Sequence, residues 1–240
     1  MNVTKITQVV TINAPGKDIV FDGFDFTESG YVKVQSAQSV TFRNCRVYSL
    51  NTESSKKNYW LIVQSGDSIK LVVENCYFGD SLGSAGALYN FIEPNAVLVD
   101  GSGVCKNYFT KDVCTHNAVN IYGAAEGAKI YVSDNVFEAS AGTIRIGMKG
   151  VPACEIEMSG NKVLAGIPSY GDDYQGLAMV QPYGKQTSSF ENVTITMNGN
   201  TCPGEQLIYA YSGSNDTTLT ADNMPTIFVD GAEISAPIYH

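Results

Sequence analysis

Two stretches of the chain, thirty-one residues apart, say nearly the same thing: "SVTFRNCRVYS" from Ser39 and "KLVVENCYFGD" from Lys70. Both read apolar, any, apolar, any, Asn, Cys, any, apolar. Self-similarity on this scale constrains a fold more than any bulk property, because each copy is one unit that must bury itself on its neighbours. Set at Val40, the template apolar-x-apolar-x-turn-x-x-apolar also matches from Ile19, Leu71, Val97, Ile130, Ile156, Ile195 and Ile227, with a degenerate copy from Leu219.

The fifth position holds Gly23, Asn44, Asn75, Gly101, Asp134, Gly160, Gly199, Asn223 and Gly231. Every one is Gly, Asn or Asp, the residues that tolerate a left-handed backbone. The eighth is apolar in all but the degenerate copy: Phe26, Val47, Phe78, Val104, Phe137, Val163, Cys202 and Ile234. Between copies lies a second alternating signal, "YVKV" at Tyr31, "WLIV" at Trp60, "LYNFI" at Leu88, "AVNIY" at Ala118, "TIRI" at Thr143, "LAMV" at Leu177 and "LIYAY" at Leu207.

The unit is therefore strand, bend, variable loop, second strand, turn. Copies up to Ile195 start 21 to 39 residues apart. Irregular intervals around a fixed strand-bend core fit a solenoid with insertions at one place per coil. Helical periodicity is nearly absent, which excludes alternating β/α folds. The expectation is an all-β chain folded as a single-stranded right-handed parallel β-helix of about seven to eight coils. Successive strands would stack about 4.8 Å apart, placing Asn44 against Asn75 in an asparagine ladder and Cys45 beside Cys76. One domain covers 1–240, with a partial coil or cap over 1–16, coils over 17–235 and a tail over 236–240.

On these repeats, over roughly residues 9 to 235, the chain resembles the pectin-lyase-like β-helix superfamily. That superfamily includes pectate lyases, polygalacturonases and the tail spikes and other surface proteins of bacteriophages. The resemblance speaks for the fold, which carries enzymes and inert rods alike.

Composition narrows the function. Net charge is −9 and pI near 4.6, which argues against a nucleic-acid partner, since a phosphate backbone calls for a basic stripe. No apolar run is long enough to span a membrane. The start, "MNVTKITQVVTINAPGK", alternates like a strand and lacks the apolar core of a signal peptide. Six cysteines, none in C-x-x-C spacing, read as free thiols, and only His116 and His240 could join them at a metal. No metal and no cofactor is expected.

Catalytic candidates are sparse. A glycosidase needs two carboxylates about 5–9.5 Å apart, and the best pair is Asp172 and Asp173 in "SYGDDYQG", between Tyr170 and Tyr174. A solvated acidic loop tip is the plainer account and the favoured one. Polygalacturonases carry Asn-Thr-Asp, a double Asp, Gly-His-Gly and Arg-Ile-Lys in that order. Here "TIRIGMKG" precedes the double Asp and His116 lies far upstream, so that site is not recognisable. The pectate lyase site needs several Asp around a catalytic Arg, and Arg145 and Lys149 lack them at matching positions. Cys114 and His116 in "TKDVCTHNAV" have no orienting partner. Recognition is left: the longest loops, 48–60, 164–176 and 181–192, carry aromatic residues suited to protein or sugar surfaces, with Tyr59, Trp60, Tyr170 and Tyr174 as binding candidates.

The expected function is a non-catalytic structural protein of a bacteriophage virion, such as a decoration, head fibre or tail-spike-like module. The resemblance implies self-association, as a trimer about a three-fold axis, contact with other virion proteins, and contact with surface polysaccharide. The expected location is the virion, after synthesis in the host cytoplasm. A polysaccharide lyase or glycoside hydrolase on the same fold is the alternative.

Overall fold

The computed structural model describes residues 3–26, 32–48, 59–63, 68–79, 90–94, 96–110, 117–139, 143–148, 152–166, 176–182, 189–212 and 219–239; for 48, 59–63, 90–94 and 117 only the backbone is described. Among these the chain is all β, save one 3-10 turn at Ala221–Asn223. The strands form a 7-stranded and a 17-stranded sheet, and all pairings but one are parallel.

The repeats become three ladders. In the first, the start of the long strand Val10–Asp22 is followed by the start of Val32–Arg43, then Tyr59–Val63, Asn90–Pro94, Asn117–Ile121, Ile144–Ile146, Ala178–Val180, Ile208–Tyr211 and Ile238–Tyr239. These are the second strand signals of the sequence. The template strands make the second ladder: Ile19 pairs Val40, Val40 pairs Leu71, Ile130 pairs Ile156, Ile156 pairs Ile195, and Ile195 pairs Ile227. Beyond each bend a short strand enters the third ladder, from Thr4–Lys5 through Tyr77–Gly79 to Lys162–Val163. Copy stacked on copy in parallel is compatible with a β-solenoid.

Alternation explains the interior. Positions one and three of the template turn inward, so Val40, Leu71, Ile130 and Ile156 stack beside Phe42, Val73, Val132 and Met158, all buried in one core cluster. Ile144 and Ile146 enter it from the first ladder, and Phe78, Phe109 and Phe137 from the third. Those phenylalanines lie in adjacent strands with rings stacked at 4.5 and 4.8 Å.

The bends take positive φ, as a template turn demands: Gly23 (72°), Asn44 (55°), Asn75 (50°), Asp134 (55°), Gly160 (64°) and Gly199 (60°). Three assignments need correction. Gly101 has φ 74° but lies outside this column. Ser102 pairs Ile130 and Val104 pairs Val73, so the fourth copy starts at Ser102; its bend is Lys106 (φ 58°) and its eighth residue Phe109, not Val104. "VLVDG" imitates the template, yet Leu98 pairs Ile69 and the chain turns at Asp100–Gly101 before the true copy begins. Ser102 suits its inward place because its hydroxyl donates to Val99 O (2.7 Å) and accepts from Leu71 N (3.2 Å). The degenerate copy at Leu219 is no rung: Asn223 closes the 3-10 turn. Gly231 keeps positive φ (83°) beside Asp230 (48°), but the pair makes a hairpin turn of the kind that needs both residues left-handed, and Ala232–Ile234 folds back antiparallel on Thr226–Val229.

Val10–Asp22 is one strand running through residue 16, and Ile238–Tyr239 pairs Ala210–Tyr211 in the first ladder.

Candidate functional site

Of the candidates read from the sequence, Tyr170, Asp172, Asp173 and Tyr174 lie outside the described residues, as do Cys114, His116 and Lys149. Tyr59 and Trp60 belong to the strand Tyr59–Val63 of the first ladder, where Tyr59 pairs Asn90. The structure brings together a different set, on the outward side of that ladder.

Arg145 lies between Ile144 and Ile146, whose side chains enter the core, so alternation turns it outward. Its guanidinium centre is 5.5 Å from the Tyr122 ring centroid; Nη1 donates to Tyr122 Oη (3.4 Å) and Nη2 to the Pro182 carbonyl (3.2 Å). A cation held over a ring face is a favourable contact, worth about 0.5–2 kcal/mol. Among the described residues the buried Nε has no acceptor. Asn120 pairs Arg145 in register and is 0% exposed, and among the described residues neither its Oδ1 nor its Nδ2 has a partner. Nearby backbones leave no room for a side chain at Gly147, where a Cβ would stand 2.8 Å from Gln181 O. The sequence reading set Arg145 aside for want of acidic neighbours and missed Asn120 and Tyr122. Their only signal is alternation, which turns both outward in "AVNIY".

Chemically this cluster offers hydrogen-bond donors and a cation, the means of holding a group in place. Among the described residues no three His, Cys, Asp or Glu side chains are grouped so as to hold a metal ion. The described ion pairs lie on the second ladder: Lys129 Nζ meets Glu155 (3.1 Å) and Glu157 (2.8 Å), and both carboxylates raise the Lys129 ammonium above its ordinary value.

The repeated Asn-Cys resolves into two columns with different tasks. In the exposed bend column Asn75 Nδ2 donates to Asn44 Oδ1 (2.6 Å), and Asn44 Nδ2 donates to Asp22 Oδ1 (2.7 Å). The sixth column runs Phe24, Cys45, Cys76, Asn107, Asn135, Asn161, Asn200, and its four asparagines are buried. Each of their Oδ1 atoms accepts from the backbone N–H of the preceding rung: Cys76 (2.9 Å), Asn107 (3.0 Å), Asn135 (3.1 Å) and Asn161 (2.9 Å). Each Nδ2 donates to a carbonyl, of Val73, Val104, Val132 and Met158 in turn. The misplaced fourth copy put Ser102 in this column where Asn107 belongs, although Asn135, Asn161 and Asn200 already stood there.

Cys45 and Cys76 continue the column as buried thiols, donating to the carbonyls of Arg43 (3.2 Å) and Glu74 (3.3 Å). Their shared hydrogen bond lowers Cys45, while the same bond and burial push Cys76 up. Burial, aided by the Glu126 charge, pushes Cys154 up to about 11.

Comparisons were made with protein-family models, curated proteins and solved structures, and none gave a significant match.

Proposed function

We propose that this chain is a non-catalytic structural protein of a bacteriophage virion, built as a single-stranded right-handed parallel β-helix of about seven to eight coils of the pectin-lyase-like kind. One observation supports this most: the columns that recur along the sequence are spent on construction. Position five turns the chain, position six satisfies buried backbone groups through Asn107, Asn135, Asn161 and Asn200, and position eight stacks Phe78, Phe109 and Phe137. A rod so made is a spacer or a covering, and it works as a homo-oligomer attached to other virion proteins. Tyr59, Trp60, Tyr170 and Tyr174 are its contacts to surface glycans.

Light scattering of the purified chain, with a pull-down against virion shell proteins, tests the assignment: an oligomer that binds a shell protein is expected, and a monomer that binds none overturns it. The competing reading, a polysaccharide lyase or hydrolase, is separated by a screen on capsular and pectic polysaccharides. Turnover lost in the Asp172→Asn, Asp173→Asn double variant would establish the enzyme instead.

A further inference from the structure

The buried asparagines of the sixth column are satisfied at both ends of their amides: Asn107, Asn135, Asn161 and Asn200 each accept from a backbone N–H and donate to a carbonyl. Asn120 is the contrast. It is 0% exposed, yet among the described residues neither Oδ1 nor Nδ2 meets a partner. A buried amide left unmade is costly, so its presence calls for a reason.

The next rung offers the complement. Arg145 pairs Asn120 in register, and both side chains leave their strands outward, since Val119, Ile121, Ile144 and Ile146 enter the core. Register partners on neighbouring strands stand about 4.8 Å apart, so the two side chains start side by side. The Arg145 head is fixed by Tyr122 Oη at 3.4 Å and the Pro182 carbonyl at 3.2 Å, with the Tyr122 ring centroid 5.5 Å away. A guanidinium has N–H groups to spare beyond these contacts. One of them, Nε, is buried and has no acceptor among the described residues. Nor do those residues place a carboxylate in ion-pair range of Arg145, in a chain with 24 acidic and 15 basic side chains; Asp22 serves Arg43, and Glu155 and Glu157 serve Lys129. Arg145 is itself half-buried, as is Met179, its register partner on the following rung, so the cluster is reached from outside over these two.

We propose that Arg145 and Asn120 form a binding site for a small 2-hydroxy acid. The spare N–H groups of Arg145, Nε included, donate to the carboxylate oxygens, the side-on fork that an arginine offers a planar anion. Asn120 takes the hydroxyl: Oδ1 accepts its proton and Nδ2 donates to its oxygen. The amide decides the class. A simple carboxylate accepts only and would leave Oδ1 unpaired. A neutral alcohol would satisfy the amide and leave the arginine without a counter-charge. A ligand with an anion and a hydroxyl on adjacent carbons meets both residues. Enclosure decides the size, because the groups it must reach, Arg145 Nε and the Asn120 amide, are buried.

This site is separate from the glycan contacts assigned above and does not rest on the virion reading: a chain that binds no shell protein can pass the following test, and a virion protein can fail it. The whole chain is titrated calorimetrically with glycolate, acetate, ethylene glycol and glucuronate. Glycolate should bind, and the other three should bind more weakly by about tenfold or more, acetate for want of the hydroxyl, the glycol for want of the charge and glucuronate for its bulk. Arg145→Lys, which keeps the charge but loses the fork, should weaken glycolate by about tenfold or more. Asn120→Leu, of similar shape, should keep the wild-type far-UV spectrum and bind glycolate no better than acetate. No binding of glycolate, or acetate or glucuronate bound as tightly by the wild type, overturns the inference whether or not either variant folds. A folded Asn120→Leu chain that still prefers glycolate to acetate overturns it as well.

Discussion

Asn161 Oδ1 accepts two hydrogen bonds from Asn135, one from its backbone N (3.1 Å) and one from its Nδ2 (2.9 Å), in a place closed to solvent. Asn161 Nδ2 in turn donates to Val132 O (2.8 Å) and to Asn200 Oδ1 (2.9 Å). Asn161→Ala therefore strips partners from several buried groups at once. Each unsatisfied group costs about 1–3 kcal/mol, so a loss on the order of 4 kcal/mol is expected in urea unfolding. Asn200→Ala, at the less buried end of the column, should cost less. Equal effects at the two sites would show that the column does not act as a ladder.

Phe109 is the middle ring of three, stacked at 4.5 Å on Phe78 and 4.8 Å on Phe137. Phe109→Ala removes a wholly buried ring that both neighbours use, and a cost of about 3–5 kcal/mol is expected. Phe109→Leu keeps most of the volume and should cost roughly 1–2 kcal/mol. Thermal unfolding of the pair separates ring stacking from mere filling.

Lys106 occupies a left-handed bend (φ 58°) that its counterparts fill with Asn, Asp or Gly. Left-handed backbone costs a side-chain-bearing residue roughly 1–2 kcal/mol, while glycine's extra unfolded-state freedom costs it roughly 0.5–1. Lys106→Gly should thus raise stability by about 0.5 kcal/mol. Gly199→Ala runs the reverse experiment at φ 60° with open space around the new methyl, and should lower stability by about 1 kcal/mol. Opposite signs in matched denaturation curves are the expected result.

These bends also show how far the fold was legible. Strand, bend and second strand could be read because each position repeats, and repetition turns weak local signals into a strong one. The fourth copy could not: Val97, Val99 and Gly101 satisfy the pattern as letters, and only pairing shows that Ser102 stands over Leu71 and under Ile130. That slip broke the column of buried asparagines, putting Ser102 where Asn107 belongs, while Asn135, Asn161 and Asn200 stayed in place. Arg145, Asn120 and Tyr122 were less legible still. Asn120 and Arg145 occupy outward positions of single strands and Tyr122 follows the first of them, with no counterpart in other copies, so nothing in the sequence brings them together before the ladder does.

The thiols behave oppositely to what a reactive pair would show. Cys45 and Cys76 are buried, hydrogen-bonded to carbonyls and stacked on the asparagine column, whereas Cys105 and Cys202 are half-exposed. Iodoacetamide on the folded protein at pH 8, followed by peptide mass mapping, should label Cys105 and Cys202 and spare Cys45, Cys76 and Cys154, because burial withholds access to all three and, in Cys76 and Cys154, the thiolate as well. Fast labelling of Cys45 or Cys76 would contradict the packing described here.

Asp22 ends the exposed chain Asn75, Asn44, Asp22, and Arg43 Nε donates to its other oxygen at 2.9 Å. The Asn44 hydrogen bond first, then Arg43, holds its carboxyl below the ordinary value of 3.8. A folded-state value below the unfolded one stabilises the protein above that ordinary value, and the contribution disappears as pH falls through the lowered value. Urea midpoints measured from pH 5 down to pH 2 should therefore fall more steeply for the wild type than for Asp22→Asn, which cannot ionise but keeps an oxygen for Asn44. Because Asp22 is exposed, salt should screen the Arg43 share, and the gap between the two curves should narrow at 1 M sodium chloride. Parallel curves at low salt would mean that the Asp22 charge adds nothing to this edge of the fold.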